Sequence, residues 1–187
     1  MNIRPATPAD ARLIAQSVTE AIGAEITDSL AGEAHTREDV IDLFESLALR
    51  DDTQYSYLNT LVAEDDMGEP SGVCVAYDGA GLREMREHFF AAAKQFLDRD
   101  MTAMGDECTP DEFYLDTLAV IPSRRGRGYA QALIMATAER ARKGGKPLGL
   151  LVEKENHPAR ALYEKCGFRF FDERPFAFVM MDHLRMK

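Results

Sequence analysis

The sequence predicts a single α/β domain built around a mixed β-sheet. Its β-rich and helical segments alternate in the order β-α-α-β-β-α-β-α-β-α-β-β, which is typical of a sheet covered by helices. No internal repeat, low-complexity tract or linker divides the chain, and its 187 residues are about the size of one domain. We therefore expect one domain over residues 1–187.

The first third of the chain predicts a short strand and two helices. The strand lies near Ile3, and the first helix follows Thr7, which can cap it, with Pro8 at the first helical position. The segment HTREDVIDLFESLALRDD predicts a second helix capped by Thr36. The apolar residues of this helix recur on one side: Val40, Ile41, Phe44, Leu47 and Leu49.

The middle of the chain predicts a hairpin followed by an additional helix. The β-rich runs TLVAE and SGVCVAY flank the acidic turn DDMGEP. The segment GLREMREHFFAAAKQFLDRDMTAMGDECTPDE then predicts a helix and a polar loop. Because this makes the gap to the next strand unusually long, we expect a helical insertion at about residues 80–110.

The last third predicts alternating strands and helices. The strand FYLDTLAVI is stopped by Pro122, and the helix YAQALIMATAERARKGG is closed by Gly144 and Gly145. KPLGLLVEKE is apolar enough for a buried strand, and HPARALYEKCG predicts a short helix with Pro158 near its start. FRFFDERPFAFVMMDHL predicts two final strands around the turn DERP.

The charge of the chain argues against several classes of partner. A net charge of −10 and a pI near 4.9 would repel nucleic acid and anionic membrane surfaces. No segment reaches the roughly 18 apolar residues of a membrane span, and no signal peptide is visible. We expect neither a nucleic-acid partner nor a membrane partner. The acidic balance is compatible with an amine substrate, although solubility explains it as well.

The cysteines indicate neither a disulfide framework nor a metal site. Cys74, Cys108 and Cys166 are odd in number and form no CxxC pair or Cys/His cluster. We therefore expect no metal cofactor and a reducing, cytoplasmic location.

One loop combines backbone freedom with positive charge. In IPSRRGRGYAQALI, Gly126 and Gly128 lie where a strand passes into a helix, beside Arg124, Arg125 and Arg127. The exposed N–H groups of a helix N-terminus favour a phosphate, which predicts an anion site. A solvated basic loop is the alternative. Neither a Walker loop nor a dinucleotide-binding fingerprint is present, since GxxxxGK[ST] and GxGxxG are both missing.

Three stretches together resemble one enzyme superfamily. LAVIPSRRGRGYA contains the pattern [R/Q]-x-x-G-x-[G/A] at Arg125, Gly128 and Ala130. NHPARALYEKCGF follows about thirty residues later, and IRPATPADA opens the chain. In this order and over nearly the whole chain they resemble the GNAT superfamily of acyl-CoA-dependent N-acetyltransferases. The resemblance implies a mostly antiparallel mixed sheet, flanked by helices, with a bulged central strand that splays from its neighbour.

The resemblance also implies a site for acetyl-CoA as co-substrate. The pantetheine arm would bind the strand backbone at Leu118, Ala119 and Val120, much as an added strand does. Asn156 would lie beside the pantetheine or the reacting centre, unless it serves only as a helix cap, and Tyr163 would protonate the departing thiolate. The loop that would hold the pyrophosphate comprises Arg125, Gly126, Arg127, Gly128, Tyr129 and Ala130.

The general base is less well defined. The catalytic glutamates found in some members of the superfamily correspond here to Tyr114 and Leu151, which cannot act as bases. Strand alternation places Glu112, Tyr114, Asp116, Leu118 and Val120 on one face. Asp116 is the first candidate base and Glu112 the second, and a water chain without a single essential base is the remaining option.

The expected reaction is direct transfer of an acetyl group to a primary amine in a ternary complex, the amine being a small molecule or a protein. A catalytically silent acyl-CoA-binding or regulatory domain is the alternative, and a nucleotide- or nucleic-acid-binding protein that uses the arginine loop is the second rival. The C-terminal strands are apolar enough for a homodimer interface or for a monomer's core. Acidic residues near the predicted acceptor site either attract a cation or form a solvated face: Glu20, Glu25, Asp28, Glu33, Glu84, Glu87 and Asp98.

Overall fold

The computed structural model describes residues 1–176 and 179–187. Within these ranges the chain forms one seven-stranded sheet and five α-helices. In chain order they are β1 (Asn2–Pro5), α1 (Ala11–Ala31), α2 (Arg37–Ala48), β2 (Thr60–Glu64), β3 (Pro70–Asp78), α3 (Leu82–Leu97), β4 (Phe113–Val120), α4 (Tyr129–Lys143), β5 (Leu148–Glu153), α5 (His157–Cys166), β6 (Arg169–Phe176) and β7 (Val179–Met186). The predicted order of elements and the α/β fold class are confirmed.

Local signals begin the first two helices close to where the sequence predicts. A 3₁₀ turn that follows Thr7 and carries Pro8 at its start leads into α1. The Thr36 side chain accepts a hydrogen bond from the Asp39 N–H at 3.3 Å, and Asp39 accepts from the Thr36 N–H at 2.7 Å, which caps α2. Helix α1 continues through a kink at Gly23, where φ is +81°.

The sheet separates two apolar layers. Its strand order is β1-β2-β3-β4-β5-β7-β6, and all pairs are antiparallel except β4 with β5. Helices α1, α2 and α3 cover one face around Phe44 and Phe89. Helices α4 and α5 cover the other face around Leu133 and Phe168. No helix of the described residues is long and apolar enough to cross a membrane.

The two central strands separate after a short contact. Strand β4 pairs with β5 only at Phe113 with Leu148 and at Tyr114 with Gly149. Beyond Tyr114, the side of β4 that faces β5 has no strand partner among the described residues. This confirms the predicted splay and leaves a gap next to the second half of β4.

A bulge in β4 corrects the predicted alternation of its side chains. Val75 of β3 pairs with Thr117 and Ala76 pairs with Leu115, so Asp116 is the extra residue. Leu118 packs with the layer of α4 and α5, whereas Asp116 hydrogen-bonds Tyr77 beside the other layer. Placing Asp116 on one face with Leu118 and Val120 was therefore wrong, because the inserted residue reverses the alternation along the strand.

The predicted turn DERP was also wrong. Its residues lie inside β6 and pair with β7, for example Glu173 with Asp182 and Pro175 with Met180. Pro175 is accommodated because β6 is an edge strand, where a missing N–H costs no ladder bond on the outer side. Part of the segment FRFFDERPFAFVMMDHL, which was predicted to form the two final strands, lies at 177–178, outside the described residues.

Candidate active site

The end of β4 turns backbone groups toward the gap. The Ile121 N–H donates to the Ser71 carbonyl at 3.0 Å, which sets the alternation of the antiparallel ladder with β3. Ala119 then bonds to its partner Val73, while Leu118 and Val120 turn their N–H and C=O groups toward the gap. Two of the three predicted backbone residues thus face the open side, and Ala119 faces β3.

The loop after β4 forms an open cradle at the start of α4. Gly126 and Gly128 have φ values of +74° and +86°, which favour glycine. A Cβ built on either one would meet no atom of the described residues within 4 Å, so the space above the backbone is clear. Tyr129 begins the helix with a buried side chain, and Ala130 follows in the first turn. Both can therefore reach a ligand through their backbone N–H groups.

The three arginines of the loop differ in their partners. Arg124 forms an ion pair with Asp65 at 2.6 Å. Arg125 donates to the Val120 carbonyl at 3.0 Å and to Glu20 at 2.6 Å, so it lies across the end of β4. Arg127 is exposed and, within the described residues, has no carboxylate within 4.0 Å. Arg127 is thus the loop cation available to a new anion without breaking an existing ion pair.

Helix α5 brings Asn156 and Tyr163 toward the same side of the sheet as α4. The Asn156 side chain accepts from the Ala159 N–H at 3.2 Å and caps the helix. The Tyr163 ring packs edge-on against Phe168, with centroids 5.7 Å apart. Burial raises the pKa of the Tyr163 hydroxyl to about 12. The hydroxyl therefore keeps its proton at neutral pH and can act as a donor.

Asp116 occupies the bulge on the open side of the splay. It is half-buried and accepts from the Thr117 hydroxyl at 2.8 Å, and it lies 3.0 Å from the Tyr77 hydroxyl. Burial raises the pKa of this carboxyl, and the hydrogen bonds from Thr117 and Tyr77 oppose that rise. A carboxyl with a raised pKa beside a gap is suited to accept a proton.

Glu112 lies on the closed side of the splay and is engaged by other residues. Its carboxylate accepts from His183 Nε2 at 2.8 Å, from Arg185 Nε at 2.8 Å and from the Thr109 N–H at 2.9 Å. Burial opposes its ionisation, but these hydrogen bonds and the Arg185 charge hold its pKa below the ordinary value. The second ring nitrogen of His183 lies 2.8 Å from Asp172, so the group links the start of β4 to β6 and β7.

The structure adds three residues behind Asp116 that the sequence analysis missed. Tyr77 of β3 lies between Asp116 and Glu107, and Glu107 forms an ion pair with Arg86 of α3. A signal for this cluster exists in the sequence. Arg86 falls on the apolar stripe of α3 defined by Leu82 and Phe89, and a charge at such a position requires a buried partner.

The aromatic and acidic side chains around helices α1–α3 have mixed environments. Tyr55 and Phe89 are buried in the core of the α1–α3 layer, and Tyr57 and Phe90 pack at its edge. All seven acidic side chains named above are exposed, and Glu20 reaches the arginine loop. Cys74, Cys108 and Cys166 are free and buried.

Comparisons with known proteins agree with this geometry. The model of the acetyltransferase (GNAT) family matches residues 21–168. No curated protein sequence matches the chain. A crystal structure of an acetyltransferase is 28% identical, with a TM-score of 0.80 over 100% of this chain and 99% of that chain.

Two further solved structures share the fold. An N-acetyltransferase from Staphylococcus aureus Mu50 is 24% identical, with a TM-score of 0.82 over 100% of both chains. A chain from the NatC complex bound to Gag peptide and CoA is 17% identical, with a TM-score of 0.54 over 99% of this chain and 96% of that chain. At these identities the likeness concerns the fold. The family match over most of the chain, together with the splayed strands and the glycine cradle, shows that this protein belongs to the acetyltransferase (GNAT) family and is an acetyltransferase.

Proposed function

We propose that the protein is an N-acetyltransferase that moves the acetyl group of acetyl-CoA to a primary amine in a ternary complex, without a covalent enzyme intermediate. The observation that carries this proposal is the position of Asp116. Asp116 is the bulge residue just beyond the last β4–β5 pair, and Leu118 and Val120 turn their backbone groups to the gap that begins there. A proton acceptor and a binding strand thus meet at one point.

The donor site follows from the open backbone. Leu118 and Val120 would bind the pantetheine arm as an extra strand, and the first turn of α4 would hold the pyrophosphate. The clear space above Gly126 and Gly128 fits a group that must approach the backbone closely. The pantetheine arm would replace Arg125 as the hydrogen-bond partner of the Val120 carbonyl. The Arg125 guanidinium could then pair with a phosphate.

The acceptor must lose a proton. A primary amine with a pKa near 10.4 is neutral in only about one molecule in 2,500 at pH 7, so a proton acceptor accelerates the attack. Asp116 lies just beyond the last β4–β5 pair, and among the described residues no cation is bonded to it directly. Glu112 has His183 and Arg185 on its carboxylate and remains the second candidate.

Negative charge develops on the acetyl oxygen and on the sulfur during the reaction, and hydrogen-bond donors must stabilise it. The N–H of Leu118 or Val120 is available to the oxygen. Tyr163 would donate its hydroxyl to the leaving sulfur. A thiol has an ordinary pKa near 8.5, well below that of Tyr163, so we expect the tyrosine to stabilise the thiolate mainly as a hydrogen-bond donor and to pass on a proton only transiently.

Several broader features belong to the same proposal. The chain would be one acetyltransferase domain with residues 80–110 as an insertion. The amine is a small molecule or an amine of a protein, drawn by the exposed acidic side chains. Three free buried thiols accord with a reducing, cytoplasmic location. The edge strand β6 and its neighbour expose Phe170, Phe171, Val179 and Met180, which supports a homodimer through this edge.

Calorimetric titration with acetyl-CoA tests the donor site. The wild type should bind, NAD should give no signal, and Gly128→Glu should abolish binding because it fills the cradle with negative charge. Gly145→Glu is the matched control, since Gly145 is exposed at the other end of α4, has a φ of +71° and has open space around its Cβ position. It imposes the same charge and backbone strain but should bind normally.

A screen for free thiol release from acetyl-CoA then tests the reaction. Putrescine and lysine represent small-molecule amines, and a peptide with a free N-terminus represents an amine of a protein. Acceleration by at least one of them in the wild type, and its loss in Asp116→Asn, would support the mechanism. Failure of the wild type to bind acetyl-CoA would refute the donor site, and full activity of Asp116→Asn would refute the assigned base.

A further inference from the structure

One hydroxyl lies between a buried carboxyl group and a half-buried one. The Tyr77 oxygen is 2.7 Å from Glu107 Oε1 and 3.0 Å from Asp116 Oδ2, and the Tyr77 side chain is buried. A phenol has one proton and can donate to only one of the two carboxyls at a time. If Tyr77 donates to Glu107, its oxygen can accept from a protonated Asp116. If it donates to Asp116, that carboxyl is ionised.

The second carboxyl is held as an anion by a cation from α3. Arg86 forms an ion pair with Glu107, and both side chains are 3% exposed. Arg86 also donates to the Gly105 carbonyl at 2.7 Å, which fixes the guanidinium. Glu107 therefore offers Tyr77 a permanent acceptor in either state of Asp116. The cluster joins residues 80–110 to the bulge of β4.

We propose that Tyr77, held by the Arg86–Glu107 pair, is a positioning residue that serves both protonation states of Asp116 by turning its hydroxyl between Asp116 and Glu107. This inference rests on the proposed role of Asp116 as the base. It also gives the 80–110 segment a function, which is to supply the fixed ion pair behind the reacting centre.

The proton movements balance without any further reactant. In the resting state Tyr77 donates to the ionised Asp116. As the nitrogen–carbon bond forms, Asp116 takes the proton of the amine and becomes a carboxylic acid. It then donates to the Tyr77 oxygen, and the Tyr77 hydroxyl turns to Glu107 without leaving its oxygen. After product release the proton passes from Asp116 to water, and Tyr77 turns back.

Other groups face Asp116 and are unchanged by this movement. Thr117 donates to its other oxygen in either state. The remaining titratable and charged groups near Asp116 come from β3, β4, α3 and the loops beside them: Tyr55, Cys74, Arg86, Glu107, Cys108 and Tyr114.

The first test compares Tyr77→Phe with Tyr114→Phe. Both residues are buried, their rings lie 5.8 Å apart, and Tyr114 has no hydrogen bond to Asp116. Protein labelled with ¹³Cγ-aspartate, with Asp116→Asn for assignment, reports the pKa of Asp116 by NMR without any substrate. Tyr77→Phe should raise this pKa by about one unit, because a hydrogen bond to the charged form is lost. Tyr114→Phe should leave it unchanged.

The second test removes the ion pair as a unit. In Arg86→Met/Glu107→Leu an apolar pair of similar volume replaces the buried charges, an exchange that proteins often tolerate. Tyr77 then has Asp116 as its sole carboxyl partner, which lowers the pKa of Asp116, whereas loss of the Arg86 charge raises it. The same exchange made in Tyr77→Phe measures the effect of the charges alone. The change in the Asp116 pKa should therefore be more negative with Tyr77 present than in Tyr77→Phe, a difference that a general loss of packing would not produce.

Kinetics with the best amine of the screen complete the test. Tyr77→Phe should lower kcat about tenfold or more, leave the KM for acetyl-CoA unchanged and move the acid limb of the pH–rate profile upward. Equal Asp116 pKa values in Tyr77→Phe and the wild type would overturn the inference, as would an ion-pair exchange that changes the Asp116 pKa equally in the wild type and in Tyr77→Phe. Full activity of Asp116→Asn would instead refute the base assignment, so the two failures are distinguishable.

Discussion

At the residue scale, the Asp116 carboxyl that is proposed to act as the base also lowers the stability of the fold. Burial raises the pKa of its carboxyl above the ordinary 3.8, so the folded protein holds the proton more tightly than the unfolded chain. A raised folded-state pKa stabilises the fold below the unfolded pKa, and that contribution is lost as the pH rises through the folded value. At neutral pH the ionised carboxyl therefore opposes folding.

Asp116→Asn should consequently stabilise the protein while it removes activity. We expect the Tm at pH 7 to rise by a few degrees, given that about 1 kcal/mol corresponds to roughly 2–4 °C for a chain of this size. The gain should disappear near pH 3, where the wild-type carboxyl is protonated as well. Differential scanning calorimetry at both pH values checks this, and a lower Tm at pH 7 would contradict it.

A second prediction at this scale concerns Gly149. A Cβ at this position would collide with the Glu112 carboxylate, which cannot move away because His183 and Arg185 bind it. Gly149→Ala should lower the free energy of unfolding by about 1–3 kcal/mol, as overpacking of a buried site does. Gly105→Ala is the control, since a Cβ there has open space among the described residues and the φ is not positive. Urea unfolding should leave the control within about 0.5 kcal/mol of the wild type.

At the element scale, helix α5 depends on its cap for both stability and function. Asn156→Ala removes the oxygen that accepts from the Ala159 N–H, and we expect a loss of about 1 kcal/mol. Asn156→Asp keeps a capping oxygen and should restore stability, whereas a contact that requires the amide would not return. Thermal unfolding together with the KM for acetyl-CoA separates the two roles. If Asn156→Asp restores both quantities, Asn156 is only a cap.

The elements were also the most predictable part of the molecule. Capping residues, glycines after helices and apolar periodicity lie close together in the chain, so they identified the strands and helices in the correct order. The bulge at Asp116 depends on the pairing of β4 with β3, which is a long-range property. The turn signal of DERP was outweighed in the same way by the pairing of β6 with β7.

In the candidate site, too, the residues in local motifs were predictable and those brought together by long-range contacts were not. The glycine cradle, Asn156 and Tyr163 lie within local motifs and were proposed from the sequence. Tyr77, Arg86 and Glu107 lie far apart in the chain and meet Asp116 only through the fold. The residue types alone do not indicate that these side chains meet, apart from the charge of Arg86 on an apolar helix face.

At the scale of the whole molecule, paired carboxylates predict acid sensitivity. Hydrogen bonds from Thr109 and Arg185 lower the pKa of Asp111 to about 2, and the pKa values of Asp10, Glu112 and Asp172 are also lowered by their partners. A lowered folded-state pKa gives stability that is present above the unfolded value and is lost as the pH falls through the folded value. We expect stability to decline from about pH 4.5 to pH 2.

Circular dichroism during thermal melts across this range checks the prediction. The decline should be smaller in Glu112→Gln/His183→Leu, which lacks one of the buried pairs that protonation breaks. A Tm that stays constant between pH 4.5 and pH 2 would contradict the assignment of these carboxylates as ionised and paired.

The splay has a mechanical consequence. Within the sheet, a force applied between residues 1 and 187 passes from β4 to β5 through two residue pairs, whereas β3 and β4 share seven and β5 and β7 share six. The contacts of Glu112 with His183 and Arg185 are the side-chain links at the same joint. Under tension in optical tweezers, the sheet should part first at this joint and separate β1–β4 from β5–β7. A ligand seated in the gap would carry part of the load. Acetyl-CoA should therefore raise the first rupture force of the wild type and leave that of Gly128→Glu unchanged.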